Sequence, residues 1–372
     1  MRIALVHDYL TQHGGAERVL EALHELYPAA PVFTSIFDPA ALPADYRRWE
    51  IHQSAMRRLP GAATYHRSLL PVYPALFGSL SRQLRDFDVV LADSSAWAHH
   101  AHAAPHAAHV VYCHSPARFL HRDQAYLGPT RLPGVFNAIA PAMFSALRAL
   151  DRRAARRVDT YIANSRAVAA RINAAYGIDA AVIYPPVAVE RFAPPDPPPT
   201  PEEWYLVVSR LVPHKRVDLA VAACTRANIP LKVIGDGRAL SDLQAMAGPA
   251  VEFLGKQDDA AVADHLRRCR AFILPAVEDF GMTAVEAQAA GRPVIAFGAG
   301  GALESIVEGE TGLFFHEPTP AALLDALRAS ERGSWDVDRI LANARRFGKA
   351  RFMHEMAVAV DEAYAAKRNI TS

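Results

Sequence analysis

The chain has 372 residues, enough for two domains of ordinary size, and its 51% apolar and 21% charged content excludes global disorder. A net charge of +1 excludes a general nucleic-acid binder, although five arginines and one acid crowd the stretch LRALDRRAARR at 147–157. Three cysteines, Cys113, Cys224 and Cys269, lack metal spacing and fit a reducing cytoplasm. The opening MRIALVHDYL is too short and too polar for a signal peptide. No run approaches the roughly 20 apolar residues that span a bilayer, so the expected place is the cytoplasm.

IALVH at 3–7 reads as a buried strand. The loop DYLTQHGG follows, and then AERVLEALHEL sets Ala16, Val19, Leu20 and Leu23 at helical spacing. Further apolar runs, VFTSIF, DVVLAD, HVVYCH, TYIAN and AVIYP, alternate with helical patterns. Such alternation implies a parallel sheet covered on both faces. Residues 185–201 hold eight prolines, a density that opposes helix and sheet interior and predicts a stiff interdomain linker. The pattern then restarts as YLVVS, LKVIG, VEFLG, AFILP and PVIAF, with helices between, and a last helix is expected at about 348–367. The predicted domains are 1–184, linker 185–201, 202–347, and a C-terminal helix in 348–372 that returns to the first domain. Ligands of open α/β sheets sit beyond the carboxyl ends of the strands, and the motifs fall there.

Gly14-Gly15 follow the first strand and precede a helix, which fits backbone approaching phosphate or sugar, or an ordinary tight turn. They are not G-x-G-x-x-G, which speaks against a dinucleotide site. His114 follows HVVYC directly, as a ligand-facing residue or a satisfied strand-end histidine. SRLVPHKRVD carries Arg210 and Lys215, the fixed positive charge a diphosphate needs, or a solvated basic loop. GDGR at 235–238 brings the backbone at Gly235 close to something, and Lys256 with Gln257 is placed to edge a bound base. Asp86-Phe87-Asp88 has the D-x-D form of a metal site, yet Asp88 leads straight into a strand. The histidines at 99, 100, 102, 106 and 109 sit among alanines without a carboxylate or cysteine partner, so no metal site is expected. Last comes PAVEDFGMTAVEAQAAGRPVIAFGAGG at 275–301. Glu286 reads as the partner of Thr283 in a capping box. That leaves Glu278 and Gly281 to explain, just before a helix N-terminus suited to an anion.

As a set, these segments resemble the family 4 retaining glycosyltransferases of the GT-B fold. The resemblance rests on GGAERV, Asn164-Ser165, SRLVPHKRVD, VIGDGR, FLGK, the E-x7-E of EDFGMTAVE, and GRPVIAFGAGG, in the family's order along nearly the whole chain. HDYLTQHGGAERV and VYCHSPARFL are also similar to a branch of bacterial mannosyltransferases that build O-antigen and exopolysaccharide. The resemblance implies two Rossmann-like domains facing across a cleft, and transfer of a sugar, mannose from GDP-mannose first, to an acceptor hydroxyl with retention. By resemblance, Glu278 binds the transferred sugar and Glu286 the donor ribose. The amides at Phe280, Gly281 and Met282 meet sugar and diphosphate, and Arg210 and Lys215 neutralise the leaving diphosphate. His114 lies near the transferred sugar, Gly14 and Gly15 near phosphate and acceptor, and Asn164 lines the cleft. No metal or other cofactor is implied. The implied acceptor is a saccharide on a polyprenyl diphosphate. The mixed apolar and basic stretches at 65–80 and 135–157 suit either the inner leaflet of a membrane or a core helix with a solvated face. The alternatives are GDP-D-rhamnose or a UDP-sugar as donor, a nicotinamide-dependent oxidoreductase, and a catalytically silent sugar-nucleotide-binding protein.

Overall fold

The computed structural model describes residues 1–59, 61, 69–121 and 134–371. Residues 65–68 of the first amphipathic stretch lie outside this set. The chain divides into two compact units, 1–184 with 352–372, and 185–351.

Unit 1 is built on β1 (Ile3–His7), β2 (Val32–Thr34), β3 (Ile51–Gln53), β4 (Val89–Ser94), β5 (Ala108–Cys113), β6 (Thr160–Ala163) and β7 (Ala181–Val182). All are parallel, in the order β3-β2-β1-β4-β5-β6-β7. Side chains alternate between faces along a strand, and each face has its own core. Ala4, Val6, Val90, Ala92 and Val111 point to one, with Trp97 and Phe77. Ile3, Leu5, Val89, Leu91 and Val110 point to the other. That second core is completed by Phe352, Met356 and Val360 from the helix Lys349–Thr371, whose far end is tied by Lys367 to Asp159 at 2.8 Å. Burial of both faces is why these strands read as continuous apolar runs.

Unit 2 repeats the plan with β8 (Tyr205–Val208), β9 (Leu231–Ile234), β10 (Val251–Gly255), β11 (Phe272–Leu274), β12 (Val294–Phe297) and β13 (Gly312–Phe315). Its order is β10-β9-β8-β11-β12-β13, again all parallel. In both sheets the first strand lies between the second and the fourth of the series. The order of winding therefore reverses between β1 and β4, and between β8 and β11. Ligands of doubly wound sheets bind in the crevice at that switch point.

The strands β3 and β13, both at sheet edges, went unread in the sequence; β3 is three residues long and two of them, His52 and Gln53, are polar. The proline-rich stretch differs more from expectation. Residues 185–201 belong to unit 2 rather than standing as a free linker. They bury Val187, Val189 and Phe192, the last two in the short helix Val189–Phe192. Arg267 donates to the carbonyls of Arg191, Phe192 and Ala193, and Arg292 donates to that of Pro199. Proline prevents regular pairing, so side-chain guanidiniums satisfy these carbonyls instead.

Candidate functional site

In unit 1 the switch point brings the ends of β1 and β4 side by side, with His7 in register with Asp93. His7 Nδ1 lies 2.9 Å from Asp93 Oδ2, and His114, one residue beyond β5, puts Nε2 2.5 Å from Asp93 Oδ1. On the other side His7 Nε2 is 3.7 Å from Glu17 Oε1, and Glu17 Oε2 accepts the Gly14 N–H at 2.8 Å. A buried polar chain thus runs from His114 through Asp93, His7 and Glu17 to Gly14. It links two residues expected at the site, His114 and Gly14, through three that sequence reasoning missed. Burial alone would lower the His7 pKa, but the Asp93 and Glu17 carboxylates outweigh it and raise it to about 10. His7 is therefore a buried imidazolium at neutral pH. Asp93 is held below the usual carboxylate range by His114 and His7, against the opposing effect of burial. With His114 Nε2 turned to a carboxylate, the ring donates there, and Nδ1 remains without a partner among the described residues.

The loops around this chain are fixed by Asp8. Its carboxylate, 2% exposed, accepts the backbone N–H groups of Ser95, Ala96, Trp97 and Ala98 at 2.5–2.9 Å. The helix Gly15–Leu26 begins at Gly14, which has extended backbone, and Glu17 closes the reciprocal half of a capping box on it. The Gly14 amide is thereby engaged within the protein, while Gly15 is exposed at the first turn. Asn164 is buried, its Oδ1 accepting from Ser165 Oγ at 3.1 Å; Ser165 in turn caps the helix Arg166–Tyr176. The D-x-D is at the opposite, amino end of the strands. Asp88 accepts the Arg2 N–H at 2.6 Å there, and Phe87 packs edge-on against Phe33.

In unit 2 the loops after β8 and β11 meet at the second switch point. Lys215 Nζ and Glu278 Oε1 form an ion pair at 2.5 Å, with both side chains largely buried. An ammonium has three donors, so the pair leaves two on Lys215. The Glu278 loop is held from behind by Gly301, whose N–H donates to the Glu278 carbonyl at 2.9 Å. The helix Met282–Ala289 begins at Gly281, whose φ of 88° is left-handed, and no side chain caps it. The capping box expected at Thr283 is absent: the helix starts earlier, Thr283 lies inside its first turn, and glycine supplies the bend a threonine would resist. Glu286 is 5% exposed inside this helix. Phe280 turns inward against Phe347, with ring centroids 5.3 Å apart, so only its backbone faces the loop.

Arg210 is exposed on the loop after β8, and Lys256 is exposed after β10. The loops after β8 and β9 are interlocked: Ser209 N donates to Ile234 O and Leu211 N to Asp236 O, at 3.0 and 2.9 Å. A Cβ on Gly235 would fall 1.8 Å from the Ser209 carbonyl oxygen, so glycine here lets one loop seat the other. Arg210, Lys215, Gly235, Glu278, Gly281, Met282 and Glu286 thus share one end of one sheet, and Gly14, Gly15, His114 and Asn164 share the corresponding end of the other.

The histidine stretch after β4 does have a carboxylate, contributed by the helix Gly134–Ala155. Asp151, fully buried, has His99 and His100 Nε2 at 3.0 and 3.2 Å from Oδ1, and His121 Nε2 and the Tyr176 hydroxyl at 2.7 and 2.8 Å from Oδ2. The partner is some fifty positions away in sequence, beyond the reach of local spacing. His99, His100 and Asp151 are close enough to share a metal ion, but His100, His121 and Tyr176 already satisfy the carboxylate as hydrogen-bond donors.

A model described as Glycosyltransferase Family 4 matches residues 13–191, and one described as Glycosyl transferases group 1 matches 190–347. Among characterised relatives, a GDP-mannose-dependent alpha-(1-6)-phosphatidylinositol monomannoside mannosyltransferase of Mycolicibacterium smegmatis is 31% identical over 200 residues, 46% of this chain and 52% of that protein. The chain spans about half the length of the curated relatives it matches, or less. Among solved structures, sucrose-phosphate synthase of Thermosynechococcus elongatus aligns with a TM-score of 0.75 at 16% identity, over 98% of this chain and 100% of that one. HepE of Anabaena, solved with UDP and glucose, aligns at 0.71 and 18%, over 97% and 99%. With one glycosyltransferase model on each half and two parallel Rossmann-like sheets between them, the chain belongs to the GT-B glycosyltransferases of family 4.

Proposed function

We propose that the protein is a retaining, metal-independent hexosyltransferase that moves mannose from GDP-mannose to a hydroxyl of a lipid-linked or growing saccharide in bacterial surface polysaccharide synthesis. The observation that carries this is the Lys215–Glu278 pair at the switch point of unit 2, beside a helix N-terminus with no side-chain cap. A nucleotide sugar presents a sugar and a diphosphate at adjoining positions, and this arrangement offers a carboxylate for the one and cations with helix amides for the other. Glu278 takes hydroxyls of the transferred sugar. Arg210, the spare donors of Lys215 and the amides from Gly281 onward stabilise charge building on the leaving diphosphate. Glu286 holds the ribose and Lys256 borders the base. In unit 1, His114, oriented through Asp93, contacts the transferred sugar, with Gly15 and Asn164 nearby.

Retention without an assigned protein nucleophile fits an oxocarbenium-like transition state in which the leaving phosphate takes the acceptor proton on the same face. The GDP-mannose dependence of the mycobacterial relative supports the donor. The acceptor is proposed as a polyprenyl-diphosphate-linked saccharide, reached from the cytoplasmic face of the membrane; no described helix is long and apolar enough to cross it.

A panel of nucleotide sugars tests the reading by thermal shift and by hydrolysis. GDP-mannose is expected to give the largest stabilisation and a measurable turnover that survives EDTA. Stabilisation by UDP-sugars alone would replace the donor, GDP-D-rhamnose outranking GDP-mannose would change the sugar, and stabilisation by NAD alone would end the transferase reading.

A further inference from the structure

Between the helices Arg118–His121, Gly134–Ala155 and Arg166–Tyr176 of unit 1 lies a cavity of about 250 Å³. Arg148 and Arg152, one turn apart on one helix, and Arg171 on the next all line it, together with His121, Ser115 and the backbone turn at Pro116. No carboxylate lines it among the described residues. Asp151, on the same helix as two of these arginines, is fully buried and takes His100, His121 and the Tyr176 hydroxyl. Its hold on His121 Nε2 leaves Nδ1 as that ring's remaining polar atom.

The positive charges of Arg148 and Arg152, one turn apart on one wall of the cavity, favour an anion beside them. Both are held in place. Arg148 donates to the Leu120 carbonyl at 3.4 Å, and Arg152 donates through Nε to the Ala175 carbonyl at 3.1 Å. Each such bond uses one of the five N–H donors of the group and fixes the direction of the rest. A pre-positioned fork suits the tetrahedral oxygens of a phosphate, which accept bidentate bonds from Arg. The volume fits a phosphate or diphosphate with some water, and falls below the roughly 300–1,000 Å³ of pockets that enclose a whole organic ligand.

We infer that this cavity is an anion site for a phosphate or diphosphate ester, made of residues distinct from the donor-side Arg210 and Lys215. The ester has two sources: the diphosphate of the saccharide acceptor, which rests on the transferase reading above, or free phosphate or diphosphate acting as an effector, which does not.

Calorimetric titration of the full chain with inorganic diphosphate, at fixed ionic strength in chloride, decides the site itself. Saturable binding is expected. Arg148→Gln and Arg152→Gln should each weaken it about tenfold or more, while Arg210→Gln leaves this component unchanged. Arg152→Gln also removes the bond to Ala175, so melting curves accompany it. Should that variant melt early, Arg148→Lys carries the test, because it keeps the charge and loses the fork. No saturable binding, or equal binding by the wild type and the Arg148 variants, overturns the inference whatever the kinetics show. Turnover then separates the sources. A rise of about tenfold in the KM of a short prenyl-diphosphate-linked saccharide in Arg148→Gln, with donor KM unchanged, assigns the acceptor. An unchanged acceptor KM, with diphosphate altering wild-type turnover but not that of the variant, assigns the effector. If the protein transfers no sugar, the titration still stands on its own.

Discussion

Glu278 pairs with Lys215 at 2.5 Å, whereas Glu286 is buried within the following helix. On the proposed reaction they contact parts of the donor that behave differently: charge changes at the anomeric carbon and not at the ribose. Glu278→Gln is therefore expected to lower kcat by roughly 10²- to 10³-fold. Glu286→Gln should raise donor KM more than it lowers kcat. Steady-state kinetics on both variants checks this, and wild-type values in both would make the E-x7-E purely structural. The pair Asp93 and His7 makes a second case. Their partnership across 86 positions was not legible in the sequence, because it exists only through the adjacency of β1 and β4. HD at the end of one strand and ADSS at the end of another gave no spacing to read, whereas Lys215 and Glu278 were both found through their own local motifs. Asp93→Asn would turn an amide towards either His7 or His114, leaving the buried His7 cation short of a partner. A stability loss of about 3–5 kcal/mol is expected for a broken buried pair. If Asp93 also orients His114, the pH profile of kcat should shift as well. A drop in melting temperature with an unmoved profile would confine Asp93 to the fold.

The strands could be read because burial on both faces gives them unbroken apolar runs, as VVLA within VVLADS and VVYC within AHVVYC. The helix starts were less legible, because capping depends on backbone geometry that a motif does not reveal. T-A-V-E has the form of a capping box, yet the helix opens at Gly281, two residues before the threonine. That left-handed glycine turns the chain so that the amides from Met282 onward begin directly after the Glu278 loop. Gly281→Ala would force an L-residue to φ of 88° and set its Cβ 3.3 Å from Leu274 Cδ2. The expected cost is about 1–2 kcal/mol, with a rise in donor KM as the helix start shifts. Gly281→Asn tolerates the left-handed region better and should recover part of the stability. Melting temperature and donor KM, measured on both variants, should move in the order Gly, Asn, Ala. An alanine variant matching the wild type in both would show that the left-handed start is not needed. Where the loops at the strand ends depended on backbone hydrogen bonds, as in the seating of the Gly235 loop against Ser209, the sequence showed the glycine but not its partner.

The two units share a sheet plan but not an ionisable interior. Among the described residues, every histidine with a displaced pKa belongs to unit 1. Burial lowers His100 and His102 to about 4 and His109 to about 3, and repulsion among neighbouring cations adds to the fall. For His100 the Asp151 carboxylate opposes burial without overcoming it. Their unfolded value is near 6.5, so below that pH the unfolded chain binds protons that the fold refuses. Their contribution is fully present above pH 6.5 and is lost as pH falls towards 4. For the nearly inaccessible His100 and His109 the loss is of order 3 kcal/mol each; the half-buried His102 adds less. His7 acts in the opposite sense. Raised to about 10 by Asp93 and Glu17, it favours the fold at low pH, and that contribution is lost only as pH climbs from about 6.5 through 10. It offers no relief below pH 6.5, where its contribution is already complete. Net stabilities of 5–15 kcal/mol leave little margin for such losses, so acidification from pH 7 to 4.5 should open unit 1 before unit 2. Hydrogen exchange, corrected for the intrinsic pH dependence of the amides, checks this. Protection in β4 and β5 should fall while that in β11 and β12 persists, and His109→Gln should reduce the difference. Parallel loss of protection in both units would show that acid acts on the molecule as one cooperative body, and that the buried histidines of unit 1 do not set its acid limit.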